Sequence, residues 1–368
     1  MKRSLMVRES EMELESLLKK AEEMRGYPVS FESFVRFLGL LLQHRGADLW
    51  ELIRRSDEYI RVMMGLFEAL HNEGYVETDE EGKIFFSRKG EKLVEELGVK
   101  ILDKGLSVDS GKYGLSLPPR FKEILDEMRR IYTEVIPKDN FDQAPLLPEA
   151  SVYKALYVAQ RGDLSGKSVV TVGDDDLLSL IFGMTGEPKR VLAVDIDEQV
   201  LGVISEYSRK MGLGVDVMQS DFRLDIPPEV CGKFDTFVTE PPDTVDGITL
   251  FVSRGVQFLK KEVGKVGYCG VSTTACPPLG IVQLGKNFAE MGLVVSAWLT
   301  KFSEYPPVRT ELKHIEVPDF YDPFYPPSRV WYVSDLVRLK TTNSTKPLIK
   351  GIFKGNISDY DGDAKRYR

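Results

Sequence analysis

Apolar side chains recur every three or four positions through much of the first hundred residues, then gather after residue 167 into short unbroken runs. In the first stretch Phe31, Phe34, Val35, Leu38, Leu41 and Leu42 mark one face of a helix over 31–45, with Gly46 as its stop. Asp48 is placed to cap a short second helix carrying Leu49, Leu52 and Ile53. A third helix, starting near Asp57, carries Ile60, Met63, Met64, Phe67 and Leu70 as far as Asn72-Glu73-Gly74. Tyr75–Thr78 and Lys83–Ser87 flank the turn Asp79–Gly82 and predict a two-stranded hairpin, closed by a helix over Arg88–Leu97. Three helices, a hairpin and a helix form a winged-helix pattern, assigned to residues 1–105. A linker bearing Gly, Ser and Pro follows at 106–120.

Residues 121–340 read as a second domain. It opens with helices over Phe121–Val135 and Glu149–Gln160, separated by the loop Phe141-Asp142-Gln143-Ala144-Pro145. Strands are then predicted at Ser168–Val172, Arg190–Asp195, Val215–Met218, Phe234–Thr239 and Lys265–Val271, with helices between them that include 177–182 and 198–211. Later strands fall at 294–301 and 329–339. Such alternation predicts an α/β fold, a Rossmann-like doubly wound sheet whose ligands sit at the carboxyl ends of the strands. The last stretch, 341–368, mixes Gly, Ser, Asn and Asp with little periodicity and reads as a flexible tail.

Composition narrows the function classes. With 42% hydrophobic and 29% charged residues, the 368-residue chain is an ordinary globular sequence. Its net charge of −8 argues against a general binder of nucleic acid or anionic membrane. Residues 1–100 carry about 16 Lys/Arg against about 20 Asp/Glu, and the third helix offers only Arg61 and His71, so the winged-helix pattern points to packing or dimerisation rather than DNA. No apolar run approaches the ~20 residues of a membrane span, and no signal peptide is expected. Three cysteines without CxxC spacing predict neither a disulfide framework nor a structural zinc, and place the chain in a reducing cytoplasm. The low Cys count and Lys/Glu-rich composition fit a thermophile.

The chemistry is concentrated where the strands end. After the first strand of the sheet, Gly173 allows a close turn, yet the next three residues are Asp174, Asp175 and Asp176. Three carboxylates would repel a pyrophosphate, so a dinucleotide is disfavoured and a cationic ligand favoured. One aspartate can cap the following helix, but capping does not use three. A hard cation such as Mg²⁺ could also be held there, although the chemistry below requires none and no metal is expected. Asp195, ending the second strand, is placed to accept from ribose hydroxyls. Asp221 and Phe222, at the exit of the third, suit an adenine amino group and its base. Glu240-Pro241-Pro242-Asp243 presents two acids from a turn stiffened by two prolines.

Together, Gly173-Asp174-Asp175-Asp176, Pro241-Pro242-Asp243-Thr244, the acidic winged-helix front and the Asp/Tyr-containing tail resemble the branched-chain polyamine synthases, also called N4-bis(aminopropyl)spermidine synthases. These are aminopropyltransferases on the class I S-adenosylmethionine methyltransferase fold. The likeness spans nearly the whole chain. The tail departs from it most, with few acids in Ser358–Asp363 before Lys365-Arg366.

The resemblance implies decarboxylated S-adenosylmethionine as co-substrate, no prosthetic group, and spermidine as acceptor. Aminopropyl groups would pass to its N4 nitrogen once and then again, releasing methylthioadenosine. On this reading Gly173, Asp174, Asp176, Asp195, Asp221 and Phe222 bind the donor. Asp175, Asp243 and Glu240 carry catalysis, with Asp243 or Asp175 as base and Asp175 as the candidate transient covalent acceptor. Asp246, Gln143, Tyr360 and Asp361 bind the polyamine, the tail acting as a lid. A homodimer through the winged-helix domain is also implied. The main rival is an S-adenosylmethionine-dependent nucleic-acid base methyltransferase, against which the acid-rich site and acidic front count.

Overall fold

In the computed structural model, the apolar stripes of the amino-terminal helices are the faces turned inward. The structure describes residues 2–56, 58–99, 115–138, 141–307, 318, 320–321 and 330–368, with only the backbone of residues 2–12 and 32. The expected linker at 106–120 lies mostly outside the described residues. The chain begins with α1 (Lys2–Arg25), followed by α2 (Phe31–Gln43), α3 (Leu49–Arg55) and α4 (Ile60–Asn72). Strands β1 (Val76–Thr78) and β2 (Ile84–Phe86) pair antiparallel, and α5 (Arg88–Glu96) closes the unit.

Asp48 caps α3 as expected, accepting from the Glu51 N–H at 2.8 Å. Phe34, Phe37 and Phe67 are fully buried; burial of such a side chain contributes roughly 1.5–3 kcal/mol. Helix α1 is an element the apolar pattern did not announce, because its surface is mostly charged. It lies on α4 where Gly65 leaves room: a Cβ there would meet the Ala21 carbonyl oxygen at 2.4 Å.

The remainder is a layered α/β structure. Helices α6 (Pro119–Ile131) and α7 (Pro148–Gln160) precede the sheet. Its strands are β3 (Ser168–Val172), β4 (Arg190–Asp195), β5 (Val215–Gln219), β6 (Thr236–Thr239), β7 (Val266–Val271), β8 (Leu293–Glu304) and β9 (Val333–Thr341). Between them run α8 (Leu178–Thr185), α9 (Glu198–Met211), α10 (Val245–Phe258) and α11 (Pro278–Glu290), and α12 (Tyr360–Arg366) ends the chain. The strand order is β5-β4-β3-β6-β7-β9-β8, with β5 through β7 parallel and β9 antiparallel to both of its neighbours. One core cluster packs α6 to α9 on one face, and another packs α10 and α11 on the opposite face.

The doubly wound sheet and the boundaries of β3, β4 and α9 agree with the sequence reading. β5 stops at Gln219, so Asp221 lies in the loop beyond it. Because the chain leaves β3 toward β4 and returns on its other side at β6, the carboxyl ends of β3 and β6 bound the crevice of the sheet.

Residues after β9, expected as a flexible tail, are docked at intervals. Buried Arg254 binds the Gly351 carbonyl at 2.6 Å, Phe353 N–H donates to the Arg223 carbonyl at 2.7 Å, and Asp363 accepts from Val245 N–H at 2.7 Å, capping α10. No helix among the described residues is long and apolar enough to cross a membrane.

Candidate active site

A small open cleft lies at the ends of β3 and β6, lined by Lys154, Gly173, Asp174, Asp176, Thr239 and Glu240 among others. Two tight turns make it. At the first, Gly173 adopts φ +79° and buried Leu177 adopts φ +52°, a left-handed conformation that costs a branched side chain roughly 1–2 kcal/mol. That compact turn brings three aspartates into the space before α8 begins.

Their environments differ. Asp174 is buried and accepts from Leu178 N–H at 2.9 Å and from Ser179 N–H, so it serves the start of α8. Asp176 accepts from Leu146 N–H at 2.7 Å and lies 3.8 Å from the Lys154 ammonium. Burial lifts its carboxyl to about 6, against the pull of Lys154. Asp175 is half-buried, and among the described residues no donor or cation meets its carboxylate. Burial, then the charges of Asp176, Asp195, Asp174 and Glu240, hold its carboxyl well above the ordinary range.

The second turn follows β6. Glu240 binds the fully buried Lys154 ammonium and accepts from Tyr305 and Ser334 hydroxyls at 3.2 and 3.3 Å. Its carboxylate fits because Gly270 on β7 has no side chain; a Cβ there would meet Oε2 at 1.7 Å. Asp243 accepts from Ser272 N–H at 3.0 Å and from the buried Tyr332 hydroxyl. Burial pushes Asp243 up to about 7 despite the Tyr332 hydrogen bond, with Glu240 and Asp142 adding repulsion. Among the described residues Lys154 is the one ammonium or guanidinium within ion-pair distance of Asp174, Asp175, Asp176, Asp195, Glu240 or Asp243.

A match to the family model for the Branched-chain polyamine synthase A C-terminal domain spans residues 123–363. The chain belongs to this family. Among its relatives, the N(4)-bis(aminopropyl)spermidine synthase of Thermococcus kodakarensis is 29% identical over 343 residues, covering 90% of this chain and 94% of the relative. The synthase of the same name from Thermus thermophilus is also 29% identical, covering 89% and 93%. A solved structure of the Thermus thermophilus branched-chain polyamine synthase C9 mutein, in complex with N4-aminopropylspermidine and 5'-methylthioadenosine, superposes with TM-score 0.75 at 24% identity. It covers 94% of this chain and 96% of that one, and the two share the fold.

The remaining sequence candidates fall in three places. Asp195 sits beside the first turn, but each of its oxygens already accepts a backbone N–H, from Asp174 at 2.7 Å and Asp197 at 2.8 Å. Asp221 is forked by Arg223, with Nη2 at 2.7 Å, which holds its carboxyl below the usual range. Phe222 is buried edge-on against Phe251 at 5.0 Å. On the tail side, Tyr360 donates to Asp142 at 2.9 Å, Asp361 pairs with Arg61, and Asp246 lies 3.4 Å from Arg366. Gln143 is turned to Asp197 at 3.2 Å, so its neighbour Asp142 is the loop residue that meets the tail.

Sequence reasoning missed Lys154, Tyr332 and Gly270. A lone lysine inside the apolar helix segment Ser151-Val152-Tyr153-Lys154-Ala155-Leu156 was the available signal, since an unpaired ammonium is not buried at such a position.

Proposed function

We propose that this chain is an aminopropyltransferase that moves aminopropyl groups from decarboxylated S-adenosylmethionine to N4 of spermidine, first once and then again, releasing 5'-methylthioadenosine. The observation that carries the reading is the charge balance at the ends of β3 and β6: six carboxylates lie there, and the one ammonium, that of Lys154, pairs with only two of them, Asp176 and Glu240. Such a site is costly when empty and is relieved by a polycation. It also opposes the carboxylate of ordinary S-adenosylmethionine while accepting the free amine left by decarboxylation. The names of the relatives and the ligands in the Thermus thermophilus complex agree with this assignment.

In the first transfer the N4 lone pair attacks the aminopropyl carbon bound to sulfur. The C–N bond forms, the C–S pair returns to sulfur as a thioether, and the secondary amine's proton passes to a carboxylate. Asp174 is committed to α8, while Asp176 and Glu240 are engaged by Lys154, which leaves Asp243 and Asp175. A carboxyl poised near 7 is matched to accepting a proton at neutral pH, so Asp243 is the base. Asp175 faces the developing positive charge as an electrostatic partner. In the second transfer the tertiary amine has no proton to lose, and the site orients and stabilises only. We read Asp195 as the ribose side of the donor site and Asp142, Tyr360 and Asp246 as the acceptor side, under the tail. The amino-terminal unit is a winged-helix-type module that joins two copies into a dimer.

The test is an incubation with spermidine and either decarboxylated or ordinary S-adenosylmethionine, read by mass spectrometry. One and two added aminopropyl masses on N4, only from the decarboxylated donor, are expected. Methyl transfer from the ordinary donor with none from the other would overturn the assignment.

A further inference from the structure

The amino-terminal unit meets the catalytic sheet through α3, at the two backbone segments that carry the tyrosines of the site. Arg54 Nη2 donates to Glu304 Oε1 at 2.6 Å, and Nη1 lies 3.4 Å from the Val330 carbonyl. Lys301, at a left-handed position in the irregular part of β8, donates to the Ser56 carbonyl at 2.7 Å. Trp50 packs on Trp331 with ring centroids 4.5 Å apart. Glu304 immediately precedes Tyr305, whose hydroxyl holds Glu240; Val330 and Trp331 immediately precede Tyr332, whose hydroxyl holds Asp243. The tyrosines are tied to each other by Tyr305 N–H to the Tyr332 carbonyl at 3.2 Å, with rings 4.9 Å apart. One apolar cluster contains Trp50, Leu52 and Ile53 together with Tyr305, Trp331 and Tyr332.

We propose that Arg54 is a positioning residue of the transfer reaction: by clamping Glu304 to the Val330 carbonyl it fixes Tyr305 on Glu240 and Tyr332 on Asp243, making the amino-terminal unit part of the acceptor side. The kinetic form of this claim rests on the proposed function; the geometric form does not. A guanidinium suits the task because its planar fork reaches a carboxylate and a carbonyl at once, which an ammonium does less well. The Arg54 side chain is one-third exposed, so its loss leaves no buried void, and an ion pair at that exposure contributes little to folding. A merely structural contact would therefore show as a small change in stability and nothing else.

The test compares Arg54→Met, Arg54→Lys and Glu304→Gln with wild type. Expected for Arg54→Met is a loss of between about tenfold and a hundredfold in kcat/KM for spermidine, the scale of a misplaced catalytic group. Binding of 5'-methylthioadenosine, read by calorimetry, should be unchanged. Arg54→Lys should recover part of the loss, and a variant combining Arg54→Met with Glu304→Gln should be no worse than the poorer of those two singles.

The acid limb of the pH profile should move upward, because a displaced Tyr332 no longer favours the Asp243 carboxylate. Other groups facing Asp243 are Glu240 from its own turn, Cys269 from β7, Asp142 from the loop before α7, Tyr305 from the end of β8, Tyr360 from the tail and Cys276 before α11. Apart from Tyr305, which the same clamp holds, these groups stay in place in the variants. A ¹³C titration of the Asp243 carboxyl in wild type and Arg54→Met reads the same displacement without turnover. Absent turnover in wild type would count against the proposed function alone. An unmoved Asp243 titration, or unchanged kcat/KM and acid limb in a folded Arg54→Met, would overturn the role of Arg54.

Discussion

Two acid sites lie at opposite ends of β6, and they are built on contrary principles. Before the strand, Asp235 accepts from Lys260 at 2.8 Å, Lys265 at 2.7 Å and Ser168 N–H at 3.0 Å, and these partners hold its carboxyl at about 2. After the strand, Glu240 and Asp243 join Asp174–Asp176, where burial and mutual repulsion raise the aspartates, Asp243 to about 7. Both ends offer the same residue types on the same rigid strand. The first carries its counter-ions in the chain. The second has Lys154 alone for its carboxylates among the described residues, and the proposed function gives the missing counter-charge to the bound polycation.

The largest effect that could break this comparison is kinetic. Asp243→Asn should lower kcat for the first transfer by about 10²–10⁴, the usual contribution of a general base. Its effect on a second transfer, assayed with N4-aminopropylspermidine as acceptor, should be smaller, because no proton leaves. Asp235→Asn should leave both rates unchanged. Equal losses in the two variants, measured under saturating donor, would mean that the ends of β6 differ only in appearance.

Stability should move in the opposite sense. Asp235→Asn exchanges charge-assisted hydrogen bonds for weaker ones and should cost about 1–3 kcal/mol. Asp175→Asn removes a charge that faces only other acids and should add about 0.5–2 kcal/mol while activity falls. The pH dependence follows the same division. Asp235 titrates lower in the folded chain than its unfolded value of 3.8, so its contribution is present above that value and lost as pH falls toward 2. Asp243 titrates higher than 3.8, so the folded chain binds the extra proton and stability declines as pH rises from about 4 through 7. Denaturant melts of wild type, Asp235→Asn and Asp243→Asn from about pH 2 to 8 would check the two slopes. A destabilised Asp175→Asn would show that its charge is matched after all.

Much of this contrast was legible in the amino-acid sequence, and the reasons are local. Buried parallel strands are short apolar runs, so β3 and β4 announce themselves and their ends locate Asp174–Asp176 and Asp195. The prolines at 241 and 242 mark the turn that carries Asp243. What could not be read depends on partners distant in the chain. Nothing near Asp174 distinguishes a helix cap from a ligand group until its carboxylate is seen on Leu178 and Ser179. Asp221 resembled a base-binding acid, yet Arg223 two residues on takes its carboxylate. Tyr332 reaches Asp243 across 89 residues, and no periodicity records that.

The smallest effect is also the most direct test of the unmatched charge. At pH 7 a carboxyl poised at about 7 is near half-protonated in the free protein. A bound polycation favours the charged form, lowers that value and expels up to about half a proton from Asp243. Spermidine binding measured by calorimetry in buffers of different ionisation enthalpy counts every proton released, including any from the amine itself. The difference between wild type and Asp243→Asn therefore isolates the carboxyl. It should be largest between pH 6 and 7 and vanish above about pH 9, where Asp243 is already ionised. The same measurement on Asp235→Asn should match wild type throughout, because a group held at about 2 has no proton to give. Equal proton counts for wild type and Asp243→Asn at pH 6.5 would place the missing counter-charge elsewhere than at Asp243.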